Sequence, residues 1–308
     1  MAEEEINNIG EKQTSCGFIA IIGRPNAGKS TLLNAIMQTK LSIVTKKPQT
    51  TRKNVLGIYS DDDAQFIFLD TPGLINARYE MQERMMSYVA NSLEEADVLI
   101  VVADLEKIRD INEYFSDDFR ETIKSFNGPK ILLLNKIDIL KQNKDVLPIL
   151  SEISESKVFS DIIPCSALNQ DNIESIIKSV KDYLPKGPFL YDPEQISTQT
   201  ERFFVSEKIR EQIFKQFQKE LPYSTEAHIT EFAERENGKW YISADIIVES
   251  KSQKIILVGK GGRAIKKLGQ SARFEIEDHL QMPVFLELFV KVRAGWRDND
   301  TYLKSYGY

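Results

Sequence analysis

Gly23-Arg24-Pro25-Asn26-Ala27-Gly28-Lys29-Ser30 stands between an apolar run, residues 18–22, and a stretch of helical period, residues 28–37. The spacing is GxxxxGK followed by Ser, set between a strand and a helix, and each position has a physical reason. Glycines permit the tight backbone, whose N–H groups and helix dipole attract phosphate. Lys29 can reach β- and γ-phosphate oxygens, and Ser30 a Mg²⁺ ion. Gly23, Arg24, Pro25, Asn26, Ala27, Gly28 and Thr31 complete the expected cradle.

Outward from this loop, residues 17–184 alternate apolar runs with amphipathic segments, the α/β pattern. Strands are expected at 18–22, 66–69, 98–103, 131–134 and 158–163, with an edge strand at 54–60 closed by the turn Asp61-Asp62-Asp63. Helical period marks 28–37, 111–126 and 173–184. Near-continuous apolar strands suit a mostly parallel, doubly wound sheet with its ligand beyond the strands' carboxyl ends. Three motifs fall at such ends. Asp70-Thr71-Pro72-Gly73 offers a carboxylate to Mg²⁺ through water and the Gly73 N–H to a γ-phosphate. In Asn135-Lys136-Ile137-Asp138 the last carboxylate can accept from both N1–H and the 2-amino group of guanine, a donor pair adenine lacks. The backbone of Ser166, Ala167 and Leu168, after Cys165, can meet guanine O6. GTP or GDP with Mg²⁺ is therefore the expected ligand.

The pattern breaks at Pro185-Lys186-Gly187-Pro188 and Asp192-Pro193, so residues 185–200 read as a linker. Beyond it, 201–219 is an amphipathic helix, and Trp240, Ile242, Ala244, Ile246 and Val248 alternate as in a half-buried strand. Glu236-Asn237-Gly238 marks a hairpin turn in front of that strand. A run at 254–258, a glycine loop, a helix to about residue 280 and a strand at 284–292 complete an α-β-β-α-α-β order over 201–293, leaving 294–308 as a tail. The loop Gly259-Lys260-Gly261-Gly262 has GxxG spacing and enters a helix, the arrangement by which KH domains clamp a nucleic-acid backbone. It lies in a stretch, residues 251–273, holding Lys251, Lys254, Lys260, Arg263, Lys266, Lys267 and Arg273 with no Asp or Glu. Ile255, Leu257 and Ile265 are the candidate groove. Single-stranded RNA or DNA of about four nucleotides fits such a loop.

A chain of 308 residues favours two domains. The net charge of −6 conceals an asymmetry: residues 1–185 hold 21 Lys/Arg against 28 Asp/Glu, residues 186–308 hold 19 against 18. The apolar runs fall well short of the roughly 18 residues that span a bilayer. The leader, residues 1–16, is acidic at its start and carries no signal-length apolar stretch, so it reads as disordered and the chain as cytoplasmic. Cys16 and Cys165 have no metal or disulfide spacing and read as small buried hydrophobes. His228 and His279 carry no catalytic pattern.

With these motifs in order, residues 17–184 resemble the translation-factor-related GTPases. Pro48-Gln49-Thr50-Thr51-Arg52 narrows the resemblance to the branch that includes the Era, EngA and MnmE proteins. It implies that Thr50 or Thr51 closes on Mg²⁺ and the γ-phosphate. Leu74 stands where Ras-like GTPases carry a water-orienting Gln, which implies slow intrinsic turnover. Relatives with Asn at the Asn26 position can bind K⁺ beside the phosphates; a loop-capping role for Asn26 has equal standing. Catalysis is thus expected to rest on Lys29, Thr50 or Thr51, and Gly73.

The whole arrangement, with a type II KH domain followed by Gly295-Trp296-Arg297-Asp298-Asn299, is similar to the Era family. That resemblance implies a switch that binds the 3′ end of 16S ribosomal RNA and assists maturation of the 30S subunit, with peripheral inner-membrane association in some members; a monomer is the expectation. Gly259, Lys260, Gly261, Gly262, Arg263, Lys266, Lys267 and Arg273 would hold the RNA. An RNA-binding assembly module with a purely structural nucleotide is the alternative. A metabolic P-loop kinase is disfavoured by residues 135–138 and by the lack of a substrate or lid segment.

Overall fold

Successive residues of strand β1 (Ser15–Gly23) feed two cores: Ile19 and Ile21 face one, Ala20 and Ile22 the other, all fully buried. The computed structural model describes residues 13–45, 47–108, 110–139, 147–235 and 238–308. After β1 come α1 (Lys29–Met37), β2 (Val55–Ser60), β3 (Ala64–Asp70), α2 (Glu80–Glu95), β4 (Val98–Asp104), α3 (Ile111–Tyr114) and α4 (Asp117–Ser125). Then follow β5 (Lys130–Asn135), α5 (Leu147–Glu155), β6 (Asp161–Cys165) and α6 (Ile173–Tyr183). The sheet runs β2-β3-β1-β4-β5-β6 and is parallel except for the antiparallel β2–β3 pair. Strand order reverses around β1, so the loop after β1 opens at the switch point where such sheets bind ligands.

Several boundaries differ from the sequence reading. Ser15 and Cys16, expected in the leader, pair with Ala64 and Gln65 as the first residues of β1; residues 1–12 of that leader lie outside the described residues. The expected helix 111–126 is two helices, because Ser116 Oγ accepts from Phe119 N and starts α4 afresh. The last strand begins at Asp161 rather than at 158. Helix α2 was not anticipated, although Met81, Met85 and Val89 recur every four residues and are buried.

Residues 185–200 are fastened to the sheet. The buried Gln65 side chain accepts from Leu190 N and Tyr191 N and donates to Tyr191 O, each at 2.9 Å. Farther on, Ile58 N donates to Ile196 O at 2.9 Å, and Ser197 Oγ to Leu56 O at 2.5 Å.

The second unit follows the expected order: α7 (Glu201–Gln216), β7 (Glu226–Glu234), β8 (Trp240–Val248), α8 (Lys251–Val258), α9 (Arg263–Leu280) and β9 (Val284–Val292). Its sheet runs β7-β8-β9, with β7–β8 antiparallel and β8–β9 parallel. Ile242, Ala244, Ile246 and Val248 face a core built with α7, α8 and α9. Glu236 and Asn237 of the expected turn lie outside the described residues. The tail includes α10 (Asp300–Ser305): Trp296 and Leu303 are fully buried against Met81 and Met85 of α2 and Ile247 of β8. Further links join the two units: Lys40 Nζ lies 2.7 Å from Glu211 and 2.9 Å from Glu275, and Arg84 donates to Tyr308 O at 2.9 Å.

Candidate nucleotide site and nucleic-acid interface

Between β1 and α1 the backbone makes a cradle that only small residues allow. Gly28 has φ +102, and a Cβ there would sit 2.2 Å from Asn135 Nδ2. Asn26 is also left-handed, at φ 65, a conformation Asn tolerates better than most residues. Gly23 ends β1, Ala27 is fully buried, and Arg24 reaches Tyr114 O at 2.9 Å. Lys29 is 6% exposed, and its Nζ donates to Gly23 O at 3.2 Å. Burial lowers this ammonium to about 8, against the opposing pull of the Asp70 charge.

Ser30, at the start of α1, gathers the polar groups beside the loop. Its Oγ donates to Asp70 Oδ2 at 2.8 Å and lies 2.8 Å from Thr51 Oγ1. Thr51, not Thr50, brings its hydroxyl here; Thr50 turns its carbonyl toward Arg210 of α7. Asp70 is fully buried, and burial raises its carboxyl although Lys29 pulls the other way. Asp70 Oδ1 has no hydrogen-bond partner. An orphaned carboxylate oxygen beside two hydroxyls is a hard-oxygen donor set, so these residues fit Mg²⁺. Thr71 Oγ1 donates to Ile21 O at 2.7 Å and bends the chain after β3 through Pro72 to Gly73, where a Cβ would meet Pro25 at 3.0 Å. Leu74 N follows with a bond to Gly23 O at 3.3 Å, while its side chain joins the apolar core. Thr31 lies in the first turn of α1.

At the other end of the cradle one side chain joins three loops. Asn135 Nδ2 donates to Ala27 O at 2.8 Å, and its Oδ1 accepts from Ala167 N at 2.9 Å. Ser166 Oγ donates to Asp138 Oδ1 at 2.5 Å and holds that carboxylate at the rim. Lys136, at φ 73, reaches the buried Asp104 at 2.7 Å. Asp104 was not anticipated; its signal is an acid closing the apolar run of β4. Leu168 projects outward, 73% exposed.

In the second unit, Gly259, Gly261 and Gly262 all have positive φ between α8 and α9, and space is open where a Cβ on Gly261 or Gly262 would stand. Lys260, Arg263, Lys266, Lys267 and Arg273 are all exposed. A groove of about 300 Å³ lies between α9 and β9, lined by Ile265, Lys266, Gly269, Arg273, Phe285 and Leu288 among others. Leu257, expected in the groove, is instead a fully buried core residue, and Ile255 stands 72% exposed on α8. Helical phase explains the difference: two positions apart on a helix face opposite ways. Phe285, 49% exposed, was missed; its signal is its outward place in the alternation of β9.

Residues 18–136 match the family described as 50S ribosome-binding GTPase, and residues 220–297 match the KH domain. The GTPase Era of Nitratidesulfovibrio vulgaris is 39% identical over 296 residues, covering 95% of this chain and 96% of that protein. The chain belongs to the Era family of GTPases. GTPase Era of Clostridium botulinum strain Langeland is 40% identical over 294 residues, covering 95% of this chain and 97% of its own. Two solved Era structures superpose with TM-score 0.89 at 36% identity, covering 96% of this chain and 99% of theirs. One is Era in complex with MgGDPNP and nucleotides 1506–1542 of 16S ribosomal RNA; the other is a single-substitution variant of Aquifex aeolicus Era bound to GDP·AlF4⁻. Like the rest of the Era family, this chain is a GTPase with a C-terminal KH domain.

Proposed function

We propose that the protein is a GTP-driven switch that binds the 3′ end of 16S ribosomal RNA and assists maturation of the 30S subunit in the cytoplasm. The observation that carries this is the sharing of one loop: residues 50–52 meet the nucleotide site through Thr51 and the KH domain through Thr50 and Arg52. The Era complex with 16S nucleotides supports the choice of RNA.

Roles follow from the chemistry of each group. Asp138 accepts from guanine N1–H and the 2-amino group, while the Ser166 hydroxyl keeps its carboxylate aligned. The Ala167 and Leu168 backbone faces the base. Lys29 leaves its carbonyl partner for the β/γ oxygens, and the Gly73 N–H faces the γ-phosphate. Ser30 and Thr51 would hold Mg²⁺ directly, and Asp70 through water. Bound there, Mg²⁺ neutralises charge developing on the phosphate oxygens. The Leu74 side chain has no polar atom with which to orient water, so turnover without a partner is slow. K⁺ held at Asn26 would add positive charge beside the phosphates, and equal rates in NaCl and KCl would dismiss that role.

Gly259, Gly261 and Gly262 let the loop press on the RNA backbone, Lys260 and Arg263 meet phosphates, and Lys266, Lys267 and Arg273 line the approach. The test is GTP hydrolysis in KCl with and without single-stranded RNA carrying the 3′-terminal sequence of 16S ribosomal RNA. Stimulation supports the switch. An unchanged rate at saturating RNA would mean that the two ligands act independently.

A further inference from the structure

The loop that carries Thr51 is gripped on both sides by the second unit. Thr50 O accepts from Arg210 Nη2 at 2.6 Å. Arg52, one residue past Thr51 and 2% exposed, donates to Pro222 O and Tyr223 O at 2.9 Å, to Thr225 O at 2.8 Å and to Glu226 Oε2 at 3.1 Å. Earlier in the loop, Lys47 Nζ donates to Phe214 O and Phe217 O at the end of α7. Thr51 turns the other way, into Ser30.

Arg210 is the most deeply buried of these groups. It is 1% exposed, its Nε and Nη2 bond Glu207 at 2.7 and 2.9 Å, and its Nη1 has no partner. Burial works against its charge, but Glu207 and then Glu226 hold the guanidinium firmly protonated. A desolvated guanidinium is held in place by its carboxylates, and its fixed fork gives it a defined direction. That direction is the Thr50 carbonyl. The peptide plane is rigid, so fixing the Thr50 oxygen fixes the Thr51 N–H on the same plane. Thr51 is β-branched, so few χ1 rotamers are open to it, and the one taken on this backbone sets its hydroxyl 2.8 Å from Ser30 Oγ.

We propose that Arg210 is a positioning residue for GTP hydrolysis: acting from the second unit through the Thr50 peptide, it sets the Thr51 hydroxyl against Ser30 and Asp70. This rests on the reading that Thr51 serves Mg²⁺ and the γ-phosphate. It follows that loosening α7 from the loop slows hydrolysis before it weakens nucleotide binding.

The test is a double-mutant cycle in the full-length protein, with Arg210→Gln, Thr51→Val and their combination, reading kcat, KM and the Mg²⁺ concentration for half-maximal rate. Arg210→Gln is expected to lower kcat about 10- to 100-fold, as small misplacements do. KM for GTP should move less than about threefold, with the Mg²⁺ midpoint displaced upward. In the Thr51→Val background the same change should add nothing. Arg210→Lys keeps the charge beside Glu207 but lacks the fork, so it gives an intermediate kcat and carries the same cycle if Arg210→Gln does not fold. An unmoved Mg²⁺ midpoint, or effects that multiply, would overturn the role of Arg210 while leaving Thr51 in place. If Thr51→Val alone changes neither kcat nor the Mg²⁺ midpoint, the reading of Thr51 fails and this proposal with it.

Discussion

The nucleotide site and the RNA groove are built on opposite principles. In the first, Lys29, Thr51, Asp70, Asn135 and Ser166 are all buried, and each is bonded to another part of the cradle. In the second, Lys260, Arg263, Lys266, Lys267 and Arg273 stand at the surface around glycines with open space beside them. Buried, mutually bonded groups are arranged before the ligand arrives and can stabilise developing charge without reorganising. Surface cations act through the summed field and through release of counterions. A substitution in the cradle should therefore strike chemistry, and one at the groove should strike affinity.

The largest test of that contrast is Lys29→Ala. Loss of the buried cation should reduce GTP turnover by about 10²- to 10³-fold, measured as phosphate release, in keeping with other charge-stabilising donors. A loss below about tenfold would break the picture of a preorganised cradle. Next in size is a pH effect. The Lys29 ammonium, lowered to about 8 in the free protein, is raised again when phosphates face it, so binding takes up a proton above that pH. GTP affinity should be level up to neutral pH and weaken about tenfold per pH unit above about 8. Calorimetry in buffers of different ionisation heat would show the proton; affinity that stays flat to about one pH unit beyond that point would mean that Lys29 does not carry the charge. The smallest effect belongs to the groove: Lys260→Ala with Arg263→Ala should flatten the log–log salt dependence of RNA binding by about 0.7 per cation. Stability should hold within about 0.5 kcal/mol. A larger loss of stability would show that these side chains are structural.

The same contrast explains what could be read from the sequence. The cradle's motifs could be located because each closes a strand, and strand plus turn plus charge is a local pattern. Asn135 could be placed, but not its bonds to Ala27 and Ala167, which join segments far apart in the chain. The choice between Thr50 and Thr51 was illegible for a related reason: Arg210, 160 positions away, decides which of the two turns inward. The groove was visible as a charge pattern and a GxxG spacing, yet its walls were misassigned at Leu257, where two-residue spacing on a helix was read as one face. Helix α10 escaped because its burial comes from α2 and β8 rather than from its own periodicity.

Residues 185–200 have a consequence for dissecting the molecule. The outward edge of β2 would otherwise present unpaired backbone groups, the template on which sheets of separate chains join. Ile196 O, the Ser197 hydroxyl and the Gln199 amide occupy that edge at Ile58, Leu56 and Asn54. A first domain cut after Leu184 would carry a bare strand edge into solution and self-associate through it. Cut after Thr200, the same domain keeps its own cover.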